Sequence, residues 1–187
     1  LSLVGSIYSY AIDVEHFKGL NPASRVEKFE ETSRDRFLSY DEIKRFMAAL
    51  KQEPNTTIRD FLEISILVGQ RRANGQSMRW DDIDFDRGVW SIPRIKGGKP
   101  HLVPLPNRAI RLLRLRKIDS VSEWVFPSQG RGSRVSKSGH IEEPRYALNR
   151  VLKVAALDDV TIHDLRRTVG RWQTITGASL AVTGKLL

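Results

Sequence analysis

His163 and Arg166 stand three residues apart in the stretch Thr161-Ile162-His163-Asp164-Leu165-Arg166-Arg167-Thr168. Ile162, Leu165, Val169 and Trp172 repeat at the spacing of a buried stripe, which predicts a helix here. On a helix, residues three apart share a face. Imidazole passes protons near neutral pH. Guanidinium stays charged and its planar fork matches phosphate. The pair therefore suits a site that handles a phosphate and a proton together. A plain helix-surface pair is the competing reading of these two residues alone.

Two more stretches add cations. Arg71 follows a long apolar run and Gly69. A guanidinium at the end of a buried helix needs a partner. That partner is either a carboxylate at Asp81, Asp82 or Asp84, or a phosphate held jointly with Arg166. Arg72 competes with Arg71 for the second role. Lys96 precedes Gly97-Gly98 between two β-prone runs. It is either a solvated turn lysine or a proton donor carried on a hairpin tip, with Lys99 as its rival. Metal chemistry is not expected. Counted from Asp82, the sixth and twelfth positions hold Arg87 and Pro93, where a calcium loop needs Gly and Glu. His101 and His140 lack metal-ligand spacing with His163. Gly97-Gly98-Lys99 lacks the upstream Gly and the following Ser or Thr of a P-loop.

The elements that would position these groups follow from periodicity. Leu3, Ile7, Tyr10, Ala11, Val14 and Phe17 repeat at helical spacing and predict a helix over residues 1–18, stopped by Gly19-Leu20-Asn21-Pro22. Residues 23–36 are charged and read as a solvated linker. Ser39 and Glu42 have the spacing of a capping box, followed by the stripe Ile43, Phe46, Met47 and Leu50. Residues 57–69 predict a buried helix ending at Gly69. A short helix to Trp80 should follow, weakened by Gly75. Three short strands come next, near 82–85, 89–92 and 101–105. Helices resume with Asn107 as the expected cap of one running to about Lys117, then over 143–156 and around His163. A last helix-like segment starts at Ser179, and 129–140 reads as a basic loop. The expected fold class is α+β, mostly α-helical, with a small three-stranded antiparallel sheet.

Composition narrows the partners. Lys and Arg outnumber Asp and Glu by 31 to 22 among 187 residues, a formal charge of +9. Such a balance favours a polyanion, nucleic acid first. No apolar run is long enough to span a bilayer. The chain has no Cys, which excludes disulfides and thiolate metal sites and allows a reducing cytosol.

Four features, in order, resemble the catalytic domain of the tyrosine recombinases, the phage-integrase family. Gly69-Gln70-Arg71-Arg72 through Met78-Arg79-Trp80-Asp81-Asp82-Ile83-Asp84 resembles the first-arginine box. Ile95-Lys96-Gly97-Gly98-Lys99 through Val103-Pro104-Leu105 resembles the lysine hairpin. Val125-Phe126-Pro127 resembles the structural stop, and His163-Asp164-Leu165-Arg166-Arg167-Thr168 the His-x-x-Arg box. The resemblance covers 37–187. It makes residues 1–20 the last helix of an N-terminal core-binding domain, 21–36 an interdomain linker, and 37–187 a catalytic domain lacking its C-terminal end.

The resemblance also implies roles. Arg71 and Arg166 would clamp a scissile phosphate. Lys96 would protonate the leaving 5′-hydroxyl, and His163 would assist proton transfer at the nucleophile. DNA contact is expected from Arg71, Lys96, Lys99, Arg166 and Arg167. The implied partner is double-stranded DNA at an attachment-type site, bound as a tetramer, with no cofactor, no metal and no membrane. The setting would be the cytoplasm of a bacterium, with the gene carried by a phage or genomic island. Two departures stand out. Asn74 replaces a usual Glu, with Gly75 and Gln76 where the family is apolar, so local packing around Arg71 should differ. The family's last His or Trp and its nucleophilic Tyr fall beyond Leu187, while Tyr8, Tyr10, Tyr40 and Tyr146 all precede His163. The chain as given is thus expected to bind DNA without cleaving it. A catalytically inactive DNA-binding protein of the same fold is the alternative, and a basic helical interaction module with no nucleic-acid role, whose DNA binding would be weak and salt-insensitive, is a third.

Overall fold

The structure is a computed structural model that describes residues 2–27, 29, 34–93, 100–128, 136–179 and 183–184. The chain divides into two compact units, residues 1–35 and 36–187. The first contains helix α1 (Ser2–Asp13) and a 3₁₀ turn at Pro22–Arg25. Asn21 joins them. Its side-chain carbonyl caps the turn at Ala23 N, and its Nδ2 donates to Gly5 O at 2.8 Å. The helix ends earlier than residue 18, because the backbone turns left-handed at Glu15 (φ 58°). Residues 22–25 are ordered into that turn and are not extended.

The second unit opens with α2 (Tyr40–Leu50), where the Ser39–Glu42 capping box forms in full. Glu42 also takes a bidentate pair from Arg36, with bonds of 2.6 and 3.0 Å. Helix α3 (Thr56–Val68) is capped by Asn55 and ended by left-handed Gly69 (φ 70°). Its Phe61, Leu62, Ile64, Ile66 and Val68 are buried on several sides, which fits a helix running through the core. Helix α4 (Arg72–Gln76) is shorter than its sequence suggests, and Trp80–Asp82 forms a separate 3₁₀ turn. Gly75 explains part of this local sequence. A Cβ there would meet the Phe61 ring at 3.1 Å, so the small residue lets α4 lie against α3. Gln76 is buried and donates to Glu142 O at 2.7 Å.

Strands β1 (Ile83–Asp84), β2 (Val89–Ile92) and β3 (His101–Pro104) form an antiparallel sheet in sequence order. Ile83 pairs with Trp90, and Trp90 with Val103, so one row of buried side chains crosses the sheet. Helices α5 (Asn107–Ile118), α6 (Arg145–Ala155) and α7 (Ile162–Ile175) complete the unit. Pro106, and not Asn107, holds the N-cap of α5. Val125 and Phe126 are fully buried, with Phe126 edge-on to Phe61. Helix α2 packs along α6, and α3 along α7. The second pairing brings the C-terminal end of α3 to the start of α7. Most of the segment after Ser179 lies outside the described residues.

Candidate active site

The first turn of α7 is built by its own sequence. Thr161 accepts from Asp164 N, and Asp164 Oδ2 accepts from Thr161 N and Oγ1 at 2.8 and 2.7 Å. Asp164 is fully buried, and its Oδ1 accepts from Arg167 at 3.3 Å. A carboxylate at this position offsets the positive end of the helix dipole and satisfies N–H groups the helix cannot. With Asp164, Ile162 and Leu165 directed inward, His163 is left exposed and Arg166 half-buried beside the core.

Arg166 is then held from outside its own helix. Its Nη1 donates to the carbonyl of Gly69 at 3.0 Å, across 97 residues of sequence. Gly69 ends α3, and Arg71 follows two residues later as the N-cap of α4, with its side chain exposed. Burial pushes the Arg166 pKa down, and the nearby charge of Arg71 pushes it further. Two guanidinium groups within each other's field, one fixed by a backbone carbonyl, make a site that gains from an anion. Among the described residues, Arg71 pairs with none of Asp81, Asp82 or Asp84. The salt-bridge reading of Arg71 therefore has no support there.

His163 opens onto a cleft of about 510 Å³ that is also lined by Arg72, Arg145 and Asn149. Arg72 thus sits on the His163 side, while Arg71 acts on Arg166. Arg167, expected as a DNA contact, spends one N–H on Asp164. Lys96 and Lys99 lie outside the described residues. His101 on β3 has its Nε2 3.5 Å from Gln70 Nε2, beside the arginine segment, and His140 stacks edge-on to Trp124. No cluster of three or more His, Asp or Glu residues among the described residues could hold a metal ion. No helix among them is long and apolar enough to cross a membrane.

Sequence reasoning missed the Gly69 carbonyl as the Arg166 anchor, and Asp164 as the cap that shapes the turn. The second was within reach, since Thr161 and Asp164 have cap-to-N3 spacing. The first had no local signal.

The sequence profile of the phage integrase family matches residues 36–187. Prophage integrase IntF of Escherichia coli K12 is 34% identical over 143 residues, covering 73% of this chain and 29% of the relative. The integrase of Salmonella phage P22 is 31% identical over 157 residues, covering 80% of this chain and 39% of the relative. The chain therefore spans well under half the length of these curated relatives. Among solved structures, a lambda integrase tetramer bound to a Holliday junction superposes with a TM-score of 0.70, at 22% identity. That match covers all of this chain and 56% of the other. XerA recombinase gives a TM-score of 0.65 at 21% identity, covering 81% and 55%. These likenesses establish the α+β architecture with its small antiparallel sheet as a tyrosine-recombinase catalytic fold.

Proposed function

Since this chain belongs to the phage integrase family, we propose that it is the catalytic part of a site-specific tyrosine recombinase of a prophage or genomic island. The observation that carries this reading is the anchored arginine. Arg166 is fastened to the Gly69 carbonyl, lies in the field of Arg71, and shares a helix turn with His163.

Arg71 and Arg166 clamp the non-bridging oxygens of the scissile phosphate. Charge grows on those oxygens during phosphoryl transfer, and pre-positioned guanidinium groups stabilise it without reorganising. The nucleophile is a tyrosine C-terminal to Leu187. Its oxygen attacks phosphorus, the 5′-hydroxyl leaves, and a 3′-phosphotyrosine bond forms. Lys96 delivers the proton to the leaving oxygen. His163 assists proton movement at the tyrosine. The phosphodiester energy is kept in the covalent bond, so rejoining needs no ATP. Lys99 and Arg167 contribute DNA-backbone contacts. The partner is double-stranded DNA at an attachment-type site, met in the bacterial cytoplasm, and the working assembly is a tetramer on that DNA. Residues 1–20 belong to a core-binding domain and 21–36 to the linker that joins it to the catalytic domain.

The test is a nicked suicide substrate carrying the target site, mixed with the full-length protein. A denaturation-resistant protein–DNA adduct should form, and neither Arg71→Ala nor Arg166→Ala should form it. A full-length protein that binds this DNA and never forms the adduct would overturn the reading.

A further inference from the structure

The chain enters the second unit at Arg36, and within three residues both backbone polar groups of Leu38 are fastened to α7. Leu38 N donates to Thr168 Oγ1 at 2.9 Å, and Trp172 Nε1 donates to Leu38 O at 3.0 Å. The Leu38 side chain is fully buried, and the Arg171 guanidinium lies 5.4 Å from the Phe37 ring centre. These contacts span 130 residues of sequence or more, so no local pattern dictates them.

Thr168 is the centre of this arrangement. The residue is 1% exposed, and its hydroxyl is used twice. It donates to Asp164 O at 2.7 Å while accepting from Leu38 N. Threonine bonds of this kind to the carbonyl four residues back are common in helices and signify little alone. Here the same oxygen also satisfies a buried N–H from a remote segment, which would otherwise be left without a partner at a substantial cost. Asp164 is the residue whose carboxylate builds the first turn of α7, between His163 and Arg166. A continuous path therefore runs from the Leu38 backbone, through the Thr168 hydroxyl, to the Asp164 backbone.

We propose that Thr168 is a positioning residue for strand cleavage: its hydroxyl ties the segment that leads into the catalytic unit to the turn that carries His163 and Arg166. It touches no substrate. It sets where that turn sits, and a displacement of the 36–38 segment moves the turn with it. For groups that must meet a transition state, a misplacement of about 1 Å can cost about 10²-fold in rate. The inference rests on the proposed cleavage reaction and adds a residue to it.

Thr168→Val keeps the volume and the β-branch but removes both hydrogen bonds, and Thr168→Ser keeps both. Full-length protein is assayed on the suicide substrate in single turnover, at saturating DNA and well below the melting temperature. Thr168→Val should lower the first-order cleavage constant by about tenfold or more, with full adduct amplitude and DNA affinity within about twofold of wild type. Thr168→Ser should restore the constant to within about twofold. Trp172→Phe, which removes the donor to Leu38 O together with part of the ring that lies near Tyr40, should slow cleavage in the same direction by less. If Thr168→Val loses amplitude in step with its melting temperature while the rate constant stays at wild type, Thr168 is a packing residue and the inference is wrong. Wild-type rates in both Thr168→Val and Trp172→Phe refute it equally. A wild-type protein that forms no adduct overturns the cleavage reading itself, and the positioning role with it.

Discussion

Replacing Arg166 with lysine separates charge from geometry. The side chain keeps its positive charge but loses the planar fork. In the structure one arm of that fork is already committed, since Nη1 donates to the Gly69 carbonyl at 3.0 Å. The remaining N–H groups are left for a phosphate. A lysine ammonium has three donors around one point and cannot keep the carbonyl anchor while presenting a flat edge to two phosphate oxygens. The change therefore removes one pre-positioned donor to the transition-state oxyanion, and such a loss costs about 2.7–4 kcal/mol. At about 1.36 kcal/mol per tenfold, the cleavage rate should fall by a factor of roughly 10² to 10³. Binding should suffer far less, since the charge persists and one phosphate contact among several is altered, so affinity should drop by no more than about fivefold near 0.1 M salt. The assay is single-turnover adduct formation by the full-length protein, with affinity measured in parallel by anisotropy. Cleavage within about threefold of wild type would refute the idea that the fork matters. Equal losses in binding and cleavage would refute the claim that Arg166 acts chiefly on the transition state.

Two further outcomes follow from local structure. Gly69→Ala forces a Cβ into a left-handed residue (φ 70°), which costs about 1–2 kcal/mol and should lower the melting temperature by roughly 2–8 °C. Cleavage should fall as well, because the same residue supplies the Arg166 anchor; an unchanged melting curve would rule out the strained geometry. Glu42 is held down to about 2, from an ordinary 4.5, chiefly by its hydrogen bonds to Arg36. Its folded-state pKa is depressed, so its contribution is complete above about pH 4.5 and is lost as the pH falls towards 2. Glu42→Gln should therefore lower stability at pH 7 by about 1 kcal/mol, after allowance for solvent screening, and by much less at pH 3. Urea midpoints of the two proteins at both pH values decide this, and a gap of equal size at pH 3 would contradict it.

Much of the local architecture is legible in the sequence. Ser39 and Glu42 announced their capping box, because both partners lie within one turn. The apolar run 57–68 announced a buried helix, and Gly69 its end. His163 and Arg166 shared a face by spacing alone. Boundaries were less legible. Helix α4 stops at Gln76, short of Trp80, where Gly75 lies against Phe61 and Gln76 donates to Glu142 O. The departures at Gly75 and Gln76 meet partners only the folded chain supplies, the Phe61 ring and the Glu142 carbonyl. Arg71 could be read as an ion pair or as a phosphate ligand, and Arg72 as its equal. Packing separated the two arginines, placing Arg71 where its charge acts on Arg166 and Arg72 on the cleft that His163 shares.

By itself, then, the sequence determined what depends on neighbours within a turn or two: helix faces, caps, the identity and order of the candidate groups, and the basic charge that favours a polyanion. The tertiary structure alone decided which carbonyl holds Arg166 and which N–H the Thr168 hydroxyl satisfies. The reason is the range of the forces involved. Periodicity and capping are set by backbone geometry over a few residues. A bond across 97 or 130 residues exists only once the core has closed and brought α3 and the 36–38 segment against α7.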